Sequence, residues 1–449
     1  MSLFREKPFA FFILLFAALG GLLYGYDIGV ISGALLFIQK DIPLSTEQTS
    51  LVVAAVLGGG SIATLISGPM ADWIGRKKMI ILAAIIVIIG TILLAGAYNF
   101  SSLLLGRLIQ GISIGIITIV IPLYIAEATP KNMRGRGLAL FQLILTLGIL
   151  LAYAINLLLA PSGNWRGMFY CVLIPGFILF LGSLFIPESP VWLFSKGKKS
   201  KAKNILQKLR LQKEAEKEFQ EMEELKQETH ASIEKFTWQK HYFLPLFLAL
   251  SIGTLNQLTG INVILQFITI ILKDSGLQTN LLSLLGSIGI GLINFIITIF
   301  ALVLVDKIGR KPLLLIGTGG IVLSLFFAGV TSFALDDGTF KGTVILISLV
   351  GFICSFAIGP GVVVWLAVSE ILPNALRSKG MAVALFLNSI SSTIYASFFL
   401  SLAQNIGFGG IFMLSATFSL IYFLITYFYL PETKHKTLEE IEEGFRKRI

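Results

Sequence analysis

Twelve runs of about twenty apolar residues divide this chain, and they limit its fold more than any other feature. A helix of about that length crosses the ~30 Å hydrocarbon core of a bilayer, where only helices and closed barrels can satisfy every backbone polar group. The spans read as 9–38, 51–71, 79–98, 103–126, 138–160 and 167–186, then 243–272, 281–305, 313–334, 343–371, 381–403 and 409–430. The longer ones are expected to tilt or to project past the hydrocarbon. Charged residues make up 13% of the chain, against about 25% in soluble domains, which excludes an ordinary soluble fold. The first span is too long for the apolar part of a leader peptide, so no cleaved leader is expected. Cys171 and Cys354 both fall inside spans and form no disulfide framework.

A formal charge of +10 suggests nucleic acid until its distribution is counted. Thirty of the 35 Lys and Arg residues lie on one side of the twelve-span topology, from Arg5 and Lys7 through the loop 196–240 to the tail. Four lie on the other side, Lys40, Arg166, Lys273 and Lys341, and Arg107 is inside a span. This is the positive-inside pattern, which places both termini and the central loop in the cytoplasm of a cell-membrane protein. A nucleic-acid surface would not be divided loop by loop between spans.

The chain also repeats itself. "EATPKNMRGRG" at 127–137 and "EILPNALRSKG" at 370–380 align at Glu, Pro, Arg and Gly with one offset of 243 residues. "DWIGRKK" at 72–78 returns as "DKIGRKP" at 306–312, and "PES" at 187–189 as "PET" at 431–433. The expected fold is therefore all-α, with twelve transmembrane helices in two pseudo-symmetric six-helix bundles, 1–186 and 241–449. The segment 187–240 joins them and is rich in helix formers of mixed charge, so it should form short helices against the cytoplasmic ends.

No phosphate loop, HExxH or paired-Cys motif is present, and His230, His241 and His435 are scattered, so neither an enzyme, a metal site nor a cofactor is expected. Without a nucleotide site, a primary pump is disfavoured. Two six-helix repeats around a cavity describe a secondary transporter with its site near the bilayer midplane.

The motifs then become specific. In order come "GGLLYGYDIGVISGA" in span one, "DWIGRKK", "GRLIQGISIGIITIVIPLYIAEATPKNMRG" through span four, "NWRGM" and "PESPVWL". The second half has "NQLTGIN", "GLINFIITIFALVLVDKIGRKPLLL", "GPGVVVWLAVSEILP" and "LPETK". Along nearly its whole length the chain resembles the sugar porter family of the major facilitator superfamily. The resemblance implies the major facilitator fold, a monosaccharide substrate (hexose, pentose or polyol), protons as a second partner, a lipid bilayer around it and function as a monomer.

Arg76, Glu127, Arg134 and Glu188 of the first half correspond to Arg310, Glu370, Arg377 and Glu432 of the second, all at cytoplasmic helix ends. Ion pairs between the halves there could close the inner mouth while the outer one is open. The plainer reading is that such charges only set orientation.

A sugar loses water from every hydroxyl on binding, and each unmatched polar group costs about 1–3 kcal/mol, so amides suit its site. The spans carry Gln110, Gln142, Asn156, Asn256, Gln257, Asn262, Gln266, Asn294 and Asn388. By resemblance, Gln142, Asn256, Gln257, Asn262, Asn294 and Asn388 fall on sugar-contacting positions and Trp365 on the aromatic beside the ring. Each amide alone is as well explained by an interhelical hydrogen bond. The chain departs from the family at Asn256, where a second glutamine is usual, at Gln266 and Phe267 in place of an aromatic pair, at Val362 and Val364 in span ten, at Ser389 where a tryptophan is common, and at Ser113. These leave the identity of the sugar open.

Asp27 is the carboxylate in "GYDIG". Even on a lenient scale an aspartate at mid-span costs about 2.5–3.5 kcal/mol, so it should face the interior with a partner, for which Arg107 is the candidate. A nearby cation favours the ionised carboxylate and burial the neutral one, so conformation can decide protonation. In the family's proton symporters an aspartate occupies this place beside the span-four arginine, which implies that Asp27 and Arg107 couple sugar to protons. The alternative is a permanent ion pair locking two helices. The expected function is a sugar and proton symporter working by alternating access. The alternatives are a facilitative carrier and a membrane sugar sensor, the latter disfavoured by the short tail.

Overall fold

The structure, a computed structural model, describes residues 8–231, 239–373 and 375–447. Arg5 and Lys7 and the linker stretch 232–238 lie outside the described residues. Eleven helical segments are long and apolar enough to cross a bilayer. The last, Arg377–Tyr429, is two spans joined at Gly407, whose φ of 70° takes it out of the helical region, so the expected twelve spans are present. Large apolar side chains such as Leu158, Phe185, Phe333 and Phe398 point outward and are exposed, as a surface facing hydrocarbon requires.

The helices outrun their apolar runs because capping signals lie just outside them. Ser45 starts span two, Thr46–Ile74, by accepting from the Gln48 amide while the Gln48 side chain accepts from the Ser45 N–H. Asn99 and Ser102 do the same for span four, Phe100–Ala128. Three spans are broken rather than continuous. Span six divides into Trp165–Tyr170 and Leu173–Phe185. Span seven divides into Phe243–Leu258 and Ile261–Asp274, and span ten into Thr339–Ile358 and Pro360–Ile371. Gly260, at φ 90°, makes the break in span seven, and Gly359 followed by Pro360 makes that in span ten.

In the first half, span one (Pro8–Asp41) packs most closely on span five (Lys131–Leu159), and span two on span four. The glycines of "GGLLYGYDIGVISGA" explain the first pairing. A methyl group on Gly25 would lie 1.8 Å from the Leu145 carbonyl oxygen, and one on Gly21 2.4 Å from that of Phe141, so the two backbones touch. The halves meet where span two packs on span eleven, span five on span eight (Asn280–Ile308), and span one on the second part of span seven.

The linker forms the helices Pro190–Ser195, Lys199–Leu209 and Gln212–Ala231, and the chain closes with Leu438–Arg446. Linker and terminal helix sit on one face, called here the linker face. Arg210 is almost fully buried in this layer. It donates to the carbonyls of Ala128 and Thr129 at the end of span four, each at 2.8 Å, and to Glu218.

Candidate functional site

The repeated loop motifs build the same local structure twice. In the first half the Glu188 carboxylate accepts from the backbone N–H groups of Arg76 (2.9 Å) and Lys77 (3.1 Å), capping the helix Arg76–Ala95. Arg76 then forms a two-pronged pair with Glu127, both contacts 2.9 Å. In the second half Glu432 accepts from the N–H groups of Arg310 and Lys311, both at 3.0 Å, and Arg310 pairs with Glu370 at 3.0 Å. Gly75 and Gly309, at φ 105° and 108°, make the turns, and a methyl group on either would meet the capping carboxylate. All these pairs stay within one half. Arg134 and Arg377 each donate to the carbonyl five residues back, Thr129 at 3.4 Å and Leu372 at 3.1 Å, and the symmetry breaks where Arg134 also reaches Glu218 of the linker at 3.1 Å.

A cavity of about 1030 Å³ lies between the halves. It runs from mid-span to the linker face, where Arg136 and Arg310 line its mouth. Beyond it, toward the opposite face, hydrogen bonds join the halves. The Tyr153 hydroxyl donates to the Leu265 carbonyl at 2.9 Å, Thr269 donates to the Ser32 carbonyl, and the Leu400 N–H donates to Ser50 at 3.2 Å. Ser61 and Thr393 share a bond of 3.1 Å between spans two and eleven. The molecule is open on the linker face and closed on the other.

Every amide and the tryptophan expected at sugar-contacting positions line this one cavity: Gln142 from span five, Asn256, Gln257 and Asn262 from span seven, Asn294 from span eight, Trp365 from span ten and Asn388 from span eleven. The break at Gly260 is what brings two of them together. Asn262, just after it, donates to Gln257 Oε1 at 3.0 Å, Gln257 Nε2 donates to Asn388 Oδ1 at 3.2 Å, and Asn388 Nδ2 donates to the Gly253 carbonyl at 2.9 Å. Gln266 lines the cavity too, and its side-chain oxygen, like that of Asn256, has no partner among the described residues. Of the remaining amides, Asn156 donates to the Gly29 carbonyl at 3.1 Å, an interhelical bond between spans five and one.

Asp27 lines the same cavity. It stands two residues beyond Gly25, about 200° around the helix from the face that packs on span five, and so turns toward span four. Arg107, with no exposed surface, donates from Nη1 to Asp27 Oδ1 at 2.8 Å. The pair expected from the sequence is thus formed, at the wall of the cavity that holds the amides. The sequence reading missed the polar contacts that close the opposite face, since single Ser and Thr residues inside apolar runs carry no distinguishing signal. It also missed Arg210, which reads as one more charge in a basic loop.

A family model described as "Sugar (and other) transporter" matches residues 13–445. A glucose transporter of Staphylococcus epidermidis is 36% identical over 446 residues, covering 98% of each chain. The galactose-proton symporter of Escherichia coli K12 is 32% identical over 446 residues, covering 98% of this chain and 96% of its own. Among solved structures, the inward open conformation of the Escherichia coli xylose transporter superposes with a TM-score of 0.83 at 28% identity, covering 97% of this chain and 100% of its own. Matched by that model over nearly its whole length and by a relative 36% identical over 98% of each chain, the chain belongs to the sugar (and other) transporter family.

Proposed function

We propose that this chain is a proton-coupled monosaccharide importer working by alternating access, built as bundles 1–186 and 241–449 joined by the linker 187–240, and acting as a monomer in the cell membrane. The observation that carries the reading is that Asp27, held by a fully buried arginine, shares one cavity with the amide set. The names of relatives agree with it: a galactose-proton and an arabinose-proton symporter are among them. The excess of Lys and Arg on the linker side supports a cytoplasmic linker face and cytoplasmic termini.

The sugar would displace water between Trp365 and the amides Gln142, Asn256, Gln257, Asn262, Asn294 and Asn388, each offering donors and an acceptor. Asp27 would take a proton from outside, loosen its hold on Arg107 and release the proton after the cavity turns inward, where proton activity is lower. Arg76, Glu127, Arg134 and Glu188, with Arg310, Glu370, Arg377 and Glu432, would exchange their pairs within each half for contacts across the inner mouth on the return stroke. A facilitative carrier is the second reading, because a 2.8 Å pair with almost no exposure also suits a permanent lock.

Radiolabelled sugar uptake into proteoliposomes tests both, with a panel of pentoses and hexoses and with or without an inward proton gradient. Accumulation above equilibrium that requires the gradient supports symport. Equilibration at one rate regardless of the gradient supports the carrier, and absence of uptake for every sugar overturns the functional reading.

A further inference from the structure

Arg107 has five N–H donors to place inside the protein. Nη1 is shared between Asp27 Oδ1 at 2.8 Å and Gln110 Oε1 at 3.2 Å, one turn along span four. Nε and Nη2 have no hydrogen-bond partner among the described residues, and the Phe169 ring lies 5.8 Å from the guanidinium carbon. Gln110 is itself 1% exposed, and its amide has only one useful orientation. A guanidinium only donates, so the amide oxygen must face Arg107 and the nitrogen must face away. That nitrogen donates to Thr91 Oγ1 of span three at 2.9 Å. Span three therefore aims a neutral acceptor at the cation, beside the carboxylate.

We propose that Gln110, seated by Thr91, is a positioning residue that holds Arg107 while Asp27 is protonated. This rests on the reading of Asp27 as the proton-coupling site. One proton moves: the Asp27 carboxylate takes it from the outer solution and becomes a carboxylic acid, Arg107 stays a guanidinium, and the net charge of the site rises by one. While Asp27 is ionised it supplies most of the hold on Arg107, and Gln110 adds a longer bond. Once Asp27 is neutral, Gln110 Oε1 is the acceptor that does not weaken, and it faces a buried cation whose other donors are already unmatched. Gln110 thus stabilises the protonated site more than the ionised one, and its removal makes the proton harder to bind.

Among the described residues the surroundings contain no second carboxylate or cation to take over the role. Tyr24 of span one interacts with Asp27 and with the neutral Asn262 of span seven. Tyr26 and Cys171 of span six interact with each other. Span three presents Thr91, span five lines the cavity near Asp27 with Leu145 and Ile149, and span two does so with Val56 and Gly60. Arg136 and Arg310 stand at the mouth of the cavity on the linker face.

The test measures gradient-driven uptake against external pH in proteoliposomes, with counterflow exchange as the reference for intact folding and sugar binding. For Gln110→Leu the midpoint of driven uptake is expected to fall by about one pH unit, a tenfold loss of proton affinity. Thr91→Val, which frees the amide, should shift it the same way by less, while Thr91→Ser, which keeps the hydroxyl, should hold the wild-type midpoint. Should Gln110→Leu fail to fold, the Thr91 pair decides the matter alone. A coupled wild type with unmoved midpoints in Gln110→Leu and Thr91→Val overturns this proposal and leaves the coupling reading standing. A wild type whose uptake ignores the gradient overturns both.

Discussion

Asp27 and Arg107 come from spans one and four and are 80 positions apart, yet each has little choice but the other. A mid-span carboxylate without a cation, or a buried guanidinium without an anion, leaves an uncompensated charge that costs about 3–5 kcal/mol. Asp27→Asn keeps the shape of the side chain and one acceptor while removing the charge. It is expected to abolish accumulation against a gradient while counterflow exchange persists, which separates coupling from transport. Arg107→Leu should be more damaging, because it strands the carboxylate, and loss of folded protein in detergent is the expected readout. At the amide set, Gln257 both accepts from Asn262 and donates to Asn388, so Gln257→Leu breaks two bonds of the relay at once. If the relay orders the sugar's hydroxyl partners, the half-saturating sugar concentration in counterflow should rise about 10–100-fold, corresponding to one or two lost hydrogen bonds of 1–3 kcal/mol each. A variant with unchanged affinity would place the relay outside the sugar contact.

Helices in this protein are cut, capped and strapped by features a hydropathy profile does not weigh. The apolar runs mark where spans lie, but the breaks at Gly260 and at Gly359 with Pro360 fall inside runs that read as continuous. Glycine and proline permit a break, and whether one forms depends on what the two halves of the helix pack against. Conversely, the charged repeats were legible as motifs, and the structure supplies their local use: a carboxylate 112 or 122 residues further along the chain caps a helix start, where unsatisfied N–H groups and the helix dipole both favour an anion. Glu432→Ala removes acceptors from the N–H groups of Arg310, Lys311, Thr433 and Lys434 together. It should cost about 1–2 kcal/mol of stability, seen as a lower detergent melting temperature than for Glu439→Ala on the exposed side of the terminal helix. Arg210→Met should loosen the linker, since the Ala128 carbonyl loses its donor and Glu218 and the Thr129 carbonyl are left with Arg134. Faster cleavage within the linker under limited proteolysis is the expected outcome.

The whole molecule consists of two bundles which, among the described residues, hydrogen-bond to each other on one side of the cavity. Bonds such as Ser61 to Thr393 and Leu400 to Ser50 tie the halves between mid-span and the opposite face, while the ion pairs on the linker face stay within each half. Alternating access requires the first set to separate. Ser61→Cys with Thr393→Cys, at positions whose hydroxyl oxygens are 3.1 Å apart, should form a disulfide under a membrane-permeant oxidant and stop uptake until a reductant is added. Uptake that continues through complete crosslinking would show that these spans do not part during transport.

What the amino-acid sequence determined by itself was everything that depends on composition and order along the chain. The length of the apolar runs counts the spans, the alternation of Lys and Arg sorts their loops onto two sides, and the repeated motifs divide them into two halves. Asp27 and Arg107 could be matched because each is the rare charge of its sign far inside a span, and burial makes such charges seek one another. Tertiary structure alone decided which backbones touch, where the spans bend and which face is open. Those outcomes rest on close packing between segments hundreds of residues apart, as where Ser50 meets Leu400, and on small differences between two arrangements of the same helices. The sequence encodes both arrangements, and only the folded geometry distinguishes the one that is open on the linker face.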